Sequence, residues 1–141
     1  MIGIDTSVLV AWELPEHPFH IHSRSLLARE TAAGSQFAVA PQVFTEFIHV
    51  VTDSRRFSAP LDVATALERA ESWQQSTDIV VPTANARSFE LFFQWMQNHQ
   101  LGRKRVLDTF LAAVYAAHGV KRVLTLNETD FRLFGEFDFV S

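Results

Sequence analysis

Short apolar runs alternate with longer stretches of helical period along the whole chain, and this alternation restricts the fold more than any other feature. Parallel strands can be joined only by a long crossover, usually a helix, so repeated βα units imply a parallel sheet covered by helices. Ile2-Gly3-Ile4, Phe37-Ala38-Val39-Ala40, Asp78-Ile79-Val80-Val81 and Arg122-Val123-Leu124-Thr125 read as strands, and Phe137-Asp138-Phe139-Val140 as a last edge strand. Helices are expected from near Val8, over 18–33, from Pro41 through Val51, and over 61–75, 85–99 and 106–118. Asp5-Thr6-Ser7 offers capping side chains for the first helix, and Gly34 and Gly119 stop two others. Phe44, Phe47, Ile48 and Val51 fall at core-facing helical spacing, as do Leu107, Leu111, Val114 and His118. The expected fold is a single α/β domain over residues 1–141, with three layers and a short, mostly parallel sheet of four or five strands flanked by helices.

Composition removes several function classes. The chain has no cysteine, which excludes zinc–thiolate, iron–sulfur and cysteine-nucleophile chemistry together. Apolar residues make up 48% against 20% charged, too apolar for a disordered chain. A net charge of −4 argues against nucleic-acid binding through a broad basic face. Met1-Ile2-Gly3-Ile4-Asp5 has no basic leader, and the longest apolar run, 110–117, falls well short of the roughly 18 residues a membrane helix needs. A soluble, cytoplasmic protein with no membrane partner is expected.

Ligands of open parallel sheets bind beyond the carboxyl ends of the strands, where strand order reverses. Acids recur at that edge. Asp5 follows the first strand, Glu46 lies on the helix after the second, Asp108 opens the helix that feeds the fourth, and Asp130 follows the fourth. Each has an ordinary explanation: a helix cap for Asp5, a solvated face for Glu46, a dipole partner for Asp108, a loop acid for Asp130. Their joint position is the informative feature. Clustered carboxylates raise one another's pKa unless a positive charge lies between them. Hard cations such as Mg²⁺ or Mn²⁺ prefer oxygen donors and suit phosphodiester chemistry, whereas zinc would call for cysteine or a close histidine pair.

Four segments, Ile4-Asp5-Thr6-Ser7-Val8-Leu9, Thr45-Glu46-Phe47, Leu107-Asp108-Thr109-Phe110-Leu111-Ala112-Ala113 and Thr125-Leu126-Asn127-Glu128-Thr129-Asp130-Phe131, together resemble the PIN-domain signature. In order, spacing and length the chain is similar to the VapC-type toxins of type II toxin–antitoxin modules. The resemblance implies a Mg²⁺- or Mn²⁺-dependent endoribonuclease with the acidic set Asp5, Glu46, Asp108 and Asp130. It implies Asp5 and Asp108 as principal metal ligands, with Glu46 completing the shell or orienting the attacking water. Asn127 stands as a neutral ligand or hydrogen-bond partner, because the family places its last acid either there or just before the phenylalanine. Thr6 and Thr125 stand where a hydroxyl would hold a carboxylate or a phosphate. An RNA substrate, a cognate antitoxin protein and a homodimer are the implied partners.

Arg103-Lys104-Arg105, just before Asp108, and Arg55-Arg56, after the Glu46 helix, are candidates for phosphate contacts, Arg103 and Arg105 foremost. His17, His20 and His22 fall where a flexible segment leads into a helix and are not expected as ligands. His49, one turn from Glu46, is a candidate for supporting it, and His118 is expected to be a satisfied core or helix-end histidine. Phe89-Glu90-Leu91-Phe92-Phe93-Gln94-Trp95-Met96 is apolar around more than the stripe of roughly 100° that packing on one sheet requires. A second contact surface is expected there, either a homodimer seam or a groove for an antitoxin segment. Two rivals are a PIN-like domain that binds partners without cutting, and a haloacid-dehalogenase-like phosphatase. The phosphatase would need a second Asp where Ser7 stands.

Overall fold

The computed structural model describes all residues, Met1 to Ser141. In chain order it contains β1 (Ile2–Ile4), α1 (Thr6–Glu13), α2 (His20–Ala32), β2 (Phe37–Ala38), α3 (Pro41–Val51), α4 (Val63–Gln75) and β3 (Ile79–Val80). There follow α5 (Ala86–Asn98), a 3₁₀ turn (Arg103–Arg105), α6 (Val106–Ala117), β4 (Arg122–Leu124), α7 (Thr129–Arg132) and β5 (Asp138–Phe139). The five strands form one sheet in the order β3-β2-β1-β4-β5, and every pairing is parallel. None of the helices is long and apolar enough to cross a membrane.

The elements stand where the periodicity places them, with shifted ends. Asp5 accepts the Thr6 N–H and caps α1, so this helix begins at Thr6 instead of near Val8. Asp62 and Asn85 cap α4 and α5, which trims both helices by a residue or two relative to expectation. Strands β2 and β3 are only two residues long, although Val39 continues the pairing through its N–H to the Val80 carbonyl. The short helix α7 lies in the stretch read from sequence as a loop around Asp130.

Strand β1 is central and wholly buried. Its side chains alternate between faces, so Ile2 and Ile4 meet one helical layer and Gly3 the other. Across Gly3 lies Tyr115 of α6. A β-carbon built on Gly3 would stand 2.9 Å from the Tyr115 ring, closer than real side chains pack. The fully buried Tyr115 hydroxyl donates to the Ile4 carbonyl at 2.5 Å and accepts the Ala40 N–H at 3.3 Å. One side chain thereby ties the carboxyl ends of β1 and β2 to α6. Elsewhere the buried carboxylate of Glu13 accepts from Arg69 at 2.6 Å and from the Trp73 indole at 2.8 Å, linking α1 to α4.

α5 carries apolar side chains on more than its core-facing side. Leu91 and Trp95 enter the core, while Phe89 and Phe93 are 47% and 56% exposed. Phe89 and Phe92 contact Phe110 of α6, and their ring centroids lie 5.1 and 5.4 Å from its ring. On α6 the expected stripe begins only at Leu111, because Leu107 is 75% exposed. His118 is a helix-end histidine whose Nε2 pairs with the Thr83 carbonyl at 2.6 Å.

Gly3→Ala forces ring and strand apart and is expected to cost about 1–3 kcal/mol, as overpacking of a tight core does. Tyr115→Phe keeps the ring but strands two backbone groups, with an expected loss of similar size, about 1–3 kcal/mol. Urea unfolding of both variants against the wild type measures this.

Candidate active site

Along the sheet the chain steps from β1 to β2 to β3 on one side and then crosses to β4 on the other, so strand order reverses between β1 and β4. Ile4 and Leu124 are register partners there, and Asp5 and Thr125 are the next residues on their strands. The Thr125 hydroxyl donates to Asp5 Oδ2 at 2.8 Å, the Ser7 hydroxyl to the same oxygen at 2.9 Å, and the Thr6 N–H to Oδ1 at 2.9 Å. Asp5 is buried, and burial raises its pKa above the ordinary aspartate range. The hydroxyl donors, Thr125 foremost, pull against that rise, and the nearby Glu46 charge adds to it.

Around this buried acid the other predicted residues gather. Asp5, Thr6, Ser7, Glu46, Asp108, Asn127 and Asp130 line one pocket of about 290 Å³. Glu46 arrives on α3, exposed, with Oε2 accepting the Thr6 hydroxyl at 3.2 Å. Asp108 sits in the first turn of α6, half-buried. Burial raises its pKa, the charges of Asp5 and Asp130 raise it further, and Arg105 works in the opposite direction. Asp130 stands in the first turn of α7.

Several residues are placed differently from expectation. Arg105 is turned inward: its guanidinium donates to Asp130 Oδ1 at 2.5 Å and to the Asp130 carbonyl at 2.6 Å, and it lies 3.7 Å from Asp108. It serves as an internal counter-charge between two acids and is not free for a phosphate. Arg103 remains exposed on the 3₁₀ turn, outside the pocket lining. Thr125 is buried, its hydroxyl spent on Asp5 while also accepting the Asn127 N–H at 3.0 Å. Thr6 likewise holds a carboxylate. Both threonines orient acids.

His49 is exposed and does not line the pocket, whereas His17 does, together with Phe57, Val10 and Val50. Nothing local in the sequence marks His17 or Phe57, since only the folding of two loops brings them in. Ser7 had a legible signal, a hydroxyl two residues beyond a helix-capping acid. Its hydroxyl, committed to Asp5 and accepting the Leu126 N–H at 3.2 Å, leaves no second carboxylate for the phosphatase chemistry.

No three carboxylate or imidazole side chains approach one another as a ready-made set of metal ligands. The donor chemistry nevertheless fits a hard divalent cation. Every acidic group at the pocket is an oxygen donor, and burial, with the charge of Glu46 at Asp5 and of Asp5 and Asp130 at Asp108, holds Asp5 and Asp108 above their ordinary range. Mg²⁺ commonly takes one or two carboxylates and keeps water in its other positions, so a closed cage of three is not required.

Asp108 binds its proton more tightly in the folded chain than in the unfolded one, where its value is near 3.8. Its contribution therefore favours folding below that value and is lost as pH rises through the raised one. In metal-free protein, Asp108→Asn is expected to unfold at higher urea than wild type at pH 7, with the gap closing toward pH 4. Denaturation midpoints at the two pH values decide it.

A family model of the PIN domain matches residues 2–136. No curated protein matches the sequence. Among solved structures, VapC20 of Mycobacterium tuberculosis, a sarcin-ricin loop cleaving toxin, superposes with a TM-score of 0.67 at 20% identity, over 87% of each chain. VapBC-1 from nontypeable Haemophilus influenzae gives 0.66 at 13% identity, covering 99% of this chain and 96% of that one. FitAcB from Neisseria gonorrhoeae gives 0.69 at 15% identity, covering 100% and 97%. At these identities the likeness is one of fold, and it agrees with the all-parallel five-stranded sheet and its helical layers. With the family model spanning nearly its whole length, the chain belongs to the PIN domain family.

Proposed function

We propose that this protein is a Mg²⁺- or Mn²⁺-dependent endoribonuclease, the toxin of a type II toxin–antitoxin module, acting in the cytoplasm on RNA phosphodiester bonds. The observation that carries the reading is the convergence of Asp5, Glu46, Asp108 and Asp130, from four separate elements, on one pocket at the strand-order reversal. The likeness to VapC20 and VapBC-1 supports the toxin assignment and a cognate antitoxin partner.

In this reading Asp5 and Asp108 would hold the metal, which when bound would supply a Lewis acid and a water of lowered pKa. Thr125, Ser7 and the Thr6 N–H keep the Asp5 carboxylate in one orientation, so no reorganisation is needed when charge develops. Glu46, the most exposed of the acids and tethered at Oε2 by Thr6, orients the attacking water and takes its proton. Asp130 holds Arg105 beside Asp108, which keeps the ensemble of acids from repelling itself apart. Asn127 offers a neutral amide to the metal shell or to a phosphate oxygen. Arg103, exposed on the 3₁₀ turn that precedes Asp108, is the candidate for a backbone phosphate contact.

The homodimer seam in this reading is the aromatic face of α5 and α6. Phe89 and Phe93, with ring centroids 6.4 Å apart, and Leu107 expose apolar surface on these two helices, and such patches mark interaction sites more often than free surface.

The purified protein is expected to cut a structured RNA only with Mg²⁺ or Mn²⁺ present, and Asp5→Ala or Asp108→Ala to reduce cutting at least 100-fold. Cleavage that survives EDTA or either substitution would falsify the metal-nuclease reading, and partner binding without any cleavage would favour a silent domain. Phe89→Glu combined with Phe93→Glu is expected to turn a dimer into a monomer by light scattering, with the far-UV circular dichroism of the folded wild type retained. A wild type that is monomeric at tens of micromolar rejects the seam.

A further inference from the structure

Two loops meet above the acidic pocket. The one between α1 and α2 carries Glu16, whose carboxylate accepts the Ser58 N–H at 3.2 Å, the Ser58 hydroxyl at 2.8 Å and the Ala59 N–H at 2.8 Å. Ser58 and Ala59 belong to the loop between α3 and α4. These donors, the Ala59 N–H first among them, hold the Glu16 carboxyl below its usual range, so it stays ionised in place. The segment before α2 is thus stapled, contrary to the flexibility expected of it from sequence.

The staple brings two residues outside the acidic set into the pocket, His17 from one loop and Phe57 from the other. Phe57 is half-buried, packed against the core, and Val10 and Val50 extend its apolar wall. The His17 Nδ1 accepts the Phe19 N–H at 3.1 Å, which leaves the proton of the neutral ring on Nε2. Burial, aided by the charge of His20, keeps that ring below its ordinary pKa. The pocket lining therefore divides chemically into carboxylates on the one hand and, on the other, the apolar Val10, Val50 and Phe57 with the neutral imidazole N–H of His17. Arg55 and Arg56 sit exposed on the same loop as Phe57, paired only with Asp53 at 3.7 and 3.3 Å.

This division matches the chemistry of a nucleotide, with a charged phosphate at one end and a flat base at the other. We propose that His17 and Phe57 form a nucleotide-recognition subsite beside the cleaved bond, Phe57 stacking the flanking base and His17 Nε2 donating to an acceptor on that nucleotide. Glu16 is a positioning residue that holds both loops over the site. The proposal rests on the ribonuclease reading for its substrate class. It adds to that reading the residues that choose which base lies next to the scissile phosphate, a choice the acids alone cannot make because every phosphodiester looks alike to them.

The test uses full-length protein and fluorescein-labelled single-stranded octaribonucleotides U8, C8 and A8. Binding is read by anisotropy on the Asp108→Ala background, and cleavage of the same RNAs with Mn²⁺ on the wild-type background. Phe57→Leu is expected to weaken binding of the preferred octamer about 10-fold, the size of one lost base–aromatic stack. Phe57→Trp should restore it. His17→Ala and Glu16→Gln should raise KM and alter the ranking among U8, C8 and A8 while leaving kcat within about 3-fold, an outcome that loss of folding would not produce. Unchanged affinity and unchanged base ranking in Phe57→Leu and His17→Ala overturn the subsite, even if the wild type cuts RNA well. Failure of every octamer to bind overturns it too. If the octamers bind through Phe57 but no divalent ion yields cleavage, the subsite stands and the nuclease reading falls.

Discussion

Tyr115 is the contact on which the rest of the arrangement depends. Its ring fills the space left by the missing side chain of Gly3, and its hydroxyl bonds to the backbone at the ends of both β1 and β2. Asp5 is the residue after Ile4, α3 with Glu46 begins directly after Ala40, and Tyr115 shares α6 with Asp108. A single buried side chain thus sets the mutual position of three elements that carry acids. Burial raises the Tyr115 pKa above the ordinary phenol value, so the hydroxyl keeps its proton and remains a donor at neutral pH. A buried hydrogen-bonded network of this kind rigidifies because every alternative leaves polar groups unpaired.

Rigid placement lets the site hold charge that would otherwise disperse it. Asp5 does two jobs that usually exclude each other, capping α1 and standing buried in a group of acids. The cap and two hydroxyls stabilise its ionised form, while burial and Glu46 oppose it, and opposition prevails. Arg105 is the protein's own answer to the same problem at Asp108 and Asp130. The net charge of −4 has its origin here. Set the four site acids aside from the 16, and 12 remain to balance 12 basic residues. An acidic protein is therefore compatible with the proposed RNA-cutting activity, with the negative excess gathered at the pocket where that reading puts the cation.

Much of this was legible in the residues. Periodicity placed every long helix and all five strands, and the position of acids after strands pointed to Asp5, Glu46, Asp108 and Asp130, which do share a pocket. Strand ends and helix caps were less legible. Whether Asp62 or Pro60 opens α4 depends on one side-chain hydrogen bond, to the Thr65 N–H, that periodicity does not register. Arg105 and Leu107 stand differently from expectation for a related reason: local pattern says which face of a helix is apolar, but not that Leu107 stays exposed or that Arg105 pairs with Asp130 on α7.

By itself the sequence determined the βα order, the family signature and the residue types able to hold a divalent ion, because these follow from local periodicity and the chemistry of individual side chains. Only the tertiary structure decided which of them meet. Thr125 reaches Asp5 across 120 positions of chain, Asp130 takes Arg105 from 25 positions away, and Glu16 clamps a loop 42 positions on. Such contacts depend on strand order and loop closure, which are properties of the whole packed core and not of any segment within it. The same packing turned the threonines into supports for carboxylates and brought His17 and Phe57 to the edge of an acidic pocket that their own neighbourhoods do not foretell.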